Sequence, residues 1–180
     1  MDIDLNPCIK ITIDAIGKPG QRTFFLQGET ESETITLLFE KIQVQSLVVA
    51  LLKFFENLHQ KYPDLTPENG EFVEENMKIS PPVDPLFRVG ELNLTYESAV
   101  DNVCLITKEI LFTQDDPNFQ NSSFQEGRTV NFWCSRDQIS QLANWCVILL
   151  QQGRPICPLC NEPIGPEGHL CPKKNGHNKH

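Results

Sequence analysis

Near the start of the chain, Ile9, Ile11 and Ile13 alternate with Lys10, Thr12 and Asp14, the period of two that a half-buried strand requires. Lys18-Pro19-Gly20-Gln21 follows as a tight turn, in which Pro19 presets the second position and Gly20 accepts the positive φ of the third. The stretch Arg22 to Gln27 is therefore expected to return antiparallel to the first strand, and Gly28 to Ser32 to form a polar reversal. Ile35, Leu37 and Phe39 alternate again as a third strand. The period then changes. Val44, Leu47, Val48, Leu51, Phe55 and Leu58 recur at helical spacing, and Pro63 predicts that this helix ends near Lys61 or Tyr62.

After an acidic, proline-bearing connection over 64–85, read as solvated, the pattern repeats. Leu92, Leu94 and Tyr96 share one face of a strand in Leu86 to Tyr96, and Val100 to Phe112 pairs back. Thr113 to Gln125 reads as a polar loop, and Thr129 to Cys134 alternates once more. Ser135 and Gln138 stand in the arrangement of a capping box, with Gly153 and Pro155 as the stop of a second helix. The apolar positions Val44, Leu47, Val48, Leu51 and Phe55 fall onto Ile139, Leu142, Ala143, Cys146 and Leu150 at one constant offset. That is compatible with a duplicated unit of three strands and a helix, although any two amphipathic helices can be slid into register. Either way, two helices on largely antiparallel strands predict an α+β fold. The expected organisation is an α+β domain over 1–153, with halves 1–63 and 83–153, and a C-terminal appendage over 154–180.

Charge changes this picture little. The net charge of −9 argues against loose electrostatic binding to nucleic acid. From Gly153 onward, Arg154, Lys173, Lys174 and Lys179 oppose Glu162 and Glu167, so that the end of the chain carries +2 and the rest −11. No basic, apolar leader is read at the start, and the densest apolar run, Leu47 to Leu52, stops at Lys53, short of the ~20 residues that span a bilayer. A soluble, cytoplasmic protein is expected.

The cysteines carry the strongest chemical signal. Cys8, Cys104, Cys134 and Cys146 sit singly in apolar or strand-like surroundings and read as small buried hydrophobes, with Cys134, just before a helix start and Arg136, the one candidate for reactivity. Cys157 and Cys160 differ, because two residues between them let both thiolates turn onto one ion. His169 and Cys171 complete a tetrahedral set of the kind a structural Zn2+ prefers, while His177 is the alternative fourth ligand. The residues between the two pairs, Asn161 to Gly168, offer little to a core. A metal worth about 10–16 kcal/mol would order them where burial could not.

Four strings together resemble a known family: Gly17-x-Pro19-Gly20-x-Arg22-x-Phe24-Phe25-Leu26-Gln27, Phe87-Arg88-Val89-Gly90, Gly153-Arg154-Pro155-x-Cys157-Pro158-x-Cys160, and Gly168-His169-x-Cys171-Pro172-x-x-Asn175-Gly176. The chain resembles, over nearly its whole length, a bacterial family known only as a domain of unknown function. The zinc-ribbon-like Cys-Pro-x-Cys and Gly-His-x-Cys-Pro signature is its most specific part. The resemblance favours His169 over His177 and implies no activity.

Other candidates are weaker. Lys18, Arg22 and Arg88 lie beside glycines and could contact an anion or ligand, though turn chemistry and surface ion pairing also account for them. His59, on the helix, has no acid or nucleophile arrangement around it that sequence alone can justify and reads as a surface or boundary residue, and no GxSxG, Walker or dinucleotide motif is present. A non-catalytic interaction or adaptor module with a protein partner is the leading expectation. Nucleic-acid association through the basic end and an enzyme or small-anion binder using Arg22 and Arg88 are the alternatives.

Overall fold

Alternation and turn chemistry produce the expected elements in a computed structural model whose described residues are 2–111, 127–153, 155–165 and 168–173. The strands are β1 (Asp2–Leu5), β2 (Lys10–Ile16), β3 (Thr23–Glu29), β4 (Thr34–Phe39), β5 (Val89–Glu97), β6 (Asn102–Glu109) and β7 (Thr129–Ser135), and the helices are α1 (Lys41–Lys61) and α2 (Arg136–Gln151). One sheet has the order β2-β3-β4 and the other β1-β7-β6-β5. All neighbours are antiparallel except β1 and β7. The fold is α+β, and three antiparallel strands followed by a helix occur twice. The expected loop over Thr113 to Gln125 lies outside the described residues.

Local sequence sets the joints. Gln21 donates its backbone N–H to Lys18 O at 2.9 Å, and Gly20 takes the positive φ of 92° that the turn demands. At the start of α2, Ser135 Oγ accepts from Gln138 N while Gln138 Oε1 accepts from Ser135 N, closing the capping box. Gln138 Nε2 reaches on to Cys8 O. Gln43 plays the matching part in α1, accepting from Glu40 N and donating to Val89 O. Each helix start is thereby tied to the backbone near a strand.

The two sheets meet along both flanks. Cys8 N donates to Trp133 O and Ile9 N to Glu29 O, so the chain entering β2 steps from one sheet to the other. On the opposite side Leu86 N donates to Thr36 O and Leu38 N to Phe87 O. Between them Leu5, Ile13, Leu26, Leu37, Leu105 and Phe132 are fully buried. Gly28 is part of this closure, since a Cβ there would stand 2.4 Å from the Phe132 ring. Trp145 on α2 is buried and donates Nε1–H to Ile13 O at 2.6 Å.

One strand goes unannounced in the sequence, and one expectation is corrected. β1 carries too few residues to announce itself, yet it pairs in parallel with β7. The connection over 64–85 is not a solvated strap. Met77 is buried, Phe72 meets the Trp145 ring edge-on, and Lys78 Nζ lies 4.6 Å from the centre of that ring. A row of buried polar residues on the first sheet explains the docking. Thr12, Gln27 and Thr36 are cross-strand neighbours, and Gln27 exchanges hydrogen bonds with Ser80 backbone while Thr12 donates to Met77 O. An acidic, proline-bearing composition hides backbone groups that serve as partners for a polar sheet face. No described helix is long and apolar enough to cross a membrane.

Candidate metal centre

Beyond α2 the chain folds on turns. Cys157 N donates to Glu162 O at 2.8 Å, Asn161 N to Cys157 O at 2.9 Å, and Ile164 N to Pro155 O at 2.7 Å. Asn161 takes φ 61°, a left-handed conformation that asparagine tolerates better than most residues. This small hairpin presents Cys157 and Cys160, and a second reversal, closed by Gly168 N on Gly165 O, presents His169 and Cys171.

The four donor atoms of Cys157, Cys160, His169 and Cys171 lie within 4.8 Å of one another. Cys157 Sγ and Cys171 Sγ are 3.8 Å apart, and Cys160 Sγ is 3.1 Å from His169 Nε2. A sulfur pair 3.8 Å apart is too long for a disulfide, whose S–S bond is about 2.0 Å. It matches the edge of a tetrahedron with metal–sulfur bonds of about 2.3 Å, which is roughly 3.8 Å. The backbone also favours thiolate. The N–H groups of Cys160 and Leu159 point at Cys157 and hold its thiol down at about 6. At Cys160 the Glu162 N–H lowers the thiol, but desolvation and the adjacent Cys157 and Cys171 thiols outweigh it and the net shift is upward. A group so arranged can hold one metal ion with four protein donors.

His177, Arg154, Lys174 and Lys179 lie outside the described residues, and Lys173 is exposed. Lys18, Arg22 and Arg88 do not converge. Lys18 is exposed at the hairpin turn, and Arg88 pairs with Glu40 at 3.1 Å. Arg22 lies over the Phe24 ring, donates to Leu149 O, and lines a cleft with Lys41. Cys134 is buried, and its contact with Cys8 together with burial pushes its thiol well up, while the same contact lowers that of Cys8. Burial likewise raises Cys104 to about 11 and Cys146 to about 12.

Sequence reasoning missed a charged network. Arg136, buried at the first position of α2, donates to both carboxylate oxygens of Asp101, to Thr66 O and to Glu68. Glu68 also meets His59 at 3.2 Å, so the helical histidine does have an acid beside it. The bonds tie the 64–85 connection and the β5–β6 turn to the start of α2. Nothing in spacing could have signalled them, because the partners are far apart in the chain.

Neither the curated proteins nor the solved structures offer a match to the chain. Residues 4–171, a span that takes in both sheets, both helices and all four Cys/His donors, match the family described as "Protein of unknown function (DUF3090)", and the chain belongs to that family.

Proposed function

We propose that the chain is a zinc protein whose ion, held by Cys157, Cys160, His169 and Cys171, orders the region after 153 so that it can serve as a non-catalytic interaction module. The observation that carries this reading is the donor set, three sulfurs and one imidazole nitrogen gathered within 4.8 Å. Soft thiolates with one histidine suit Zn2+ better than the harder cations, which take oxygen. Four protein donors leave no position for an activated water, so the ion's part is structural. The surface around the site supports a docking role. Leu170 is 92% exposed, Ile156 56% and Leu159 49%, so three apolar side chains of this segment face solvent.

Native mass spectrometry of protein purified without added metal tests the ion. A mass increment of one zinc that disappears in Cys160→Ser is expected, and a metal-free folded protein contradicts the reading. For the interaction role, partners cross-linked in host cells are expected to be lost in both Cys160→Ser and Leu170→Asp. An unchanged set of partners in both variants rejects it.

A further inference from the structure

Where the β2–β3 hairpin, the first residue of α1, the end of α2 and the Cys/His segment meet there is a cleft of about 450 Å³, lined among others by Arg22, Lys41, Phe24, Leu150, Ile156 and Pro163. Two cations point into one spot. Arg22 Nη2 and Lys41 Nζ stand 3.7 Å and 3.9 Å from the point that a Cβ on Gly153 would occupy. Neither forms an ion pair with a carboxylate among the described residues. Arg22 has the Phe24 ring and the Leu149 carbonyl, and Glu40, the acid next to Lys41 in sequence, is engaged by Arg88.

This arrangement opposes stability on two counts. Like charges directed at one spot repel each other, weakly where solvent reaches them as it does at exposed Lys41. Lys41 also occupies the first position of α1, in a first turn with no acidic residue, although the positive end of the helix dipole favours acids there. Both costs turn into gains when an anion sits between the two groups. The volume of the cleft is in the range of a small-molecule site, and its walls are part polar, from Arg22, Lys41 and Gln151, and part apolar.

We propose that this cleft binds a small organic anion, with its phosphate or carboxylate group between Arg22 and Lys41 and its apolar body against Phe24, Leu150, Ile156 and Pro163. The Arg22 fork supplies directional donors and Lys41 a compact charge. Ile156 and Pro163 form a bridge pair within the Cys/His segment. Part of the apolar wall therefore depends on that segment, and anion affinity and metal loading are reciprocally linked. The linkage rests on the zinc reading, whereas the cation pair does not.

The test is titration of inorganic phosphate, phenyl phosphate and benzoate into the full-length protein as purified, followed by amide NMR shifts, with zinc content measured on the same sample. Saturable shifts at Gly20, Lys41 and Gly153 are expected, at least about fivefold tighter for one of the aromatic probes than for inorganic phosphate. Which aromatic probe wins identifies the head group. Lys41→Glu supplies an internal carboxylate to Arg22 at an exposed position, so it should weaken binding at least tenfold while the melting temperature holds or rises; Arg22→Gln should weaken binding similarly. The proposal is overturned if no probe saturates in the millimolar range, or if binding survives unchanged in Lys41→Glu. Binding that is equal before and after chelation of a zinc-loaded sample overturns the linkage alone. Binding by a protein that never held zinc supports the cleft and removes the metal reading.

Discussion

Two regions of this chain are held by different forces. In the sheets and helices, most of the buried side chains are Leu, Ile, Val, Phe and Trp, with Leu5, Ile13, Leu105, Phe132 and Trp145 among those without solvent contact. Among the described residues from 155 to 173, the only buried side chains are Cys157 and Cys171, at 4% and 5% exposure, while the apolar residues point outward. The first region exchanges apolar surface for order. The second has four candidate metal donors where a core would be, and on the zinc reading its order would come from the ion.

Removing the ion should separate the two regions most sharply. Binding of a structural zinc contributes about 10–16 kcal/mol, so chelation or Cys157→Ser is expected to abolish order in the terminal segment. The melting of the sheets should stay nearly in place. Near-ultraviolet circular dichroism of Trp145 against limited proteolysis of the segment reads both. Coincident loss of the two signals would contradict the separation.

The converse change is Trp145→Ala, which opens a cavity worth about 3–5 kcal/mol and strands the Ile13 carbonyl. Urea denaturation should show that loss while the zinc content of the native protein remains one per chain. A smaller blow of about 3 kcal/mol is expected from Arg136→Ala, since Glu68 would be left buried without its cation. Asp101 provides a pH signature for the same network. The Arg136 hydrogen bonds hold its carboxyl below the usual range, so its contribution is present above the unfolded value and is lost as pH falls through the folded one. The urea midpoint should therefore drop on acidification below about pH 4, and drop less in Asp101→Asn. Least of all, Ser135→Ala removes the acceptor for Gln138 N and should cost about 1 kcal/mol.

What could be read from sequence follows the same division. Both helices, the end of α1, and the capping box and stop of α2 were legible because period and cap chemistry are local, and so was the Cys/His spacing. β1 was hidden because Asp2–Leu5 gains its meaning from β7, more than a hundred residues away. The 64–85 connection misled because its acids and prolines are compositional, whereas its docking depends on backbone groups meeting Thr12 and Gln27. The cleft was half visible. Arg22 stood out beside its glycines, but a lysine at the first position of a helix carries no sequence signal, and Lys18 and Arg88 belong elsewhere.

The most direct test of the account is amide hydrogen exchange on zinc-loaded protein and on the same protein after chelation. Protection at Cys157, Asn161, Ile164 and Gly168 is expected to be lost with the metal while protection through β2, β3, β6 and β7 is retained. Protection of those four amides that persists in metal-free protein would contradict it.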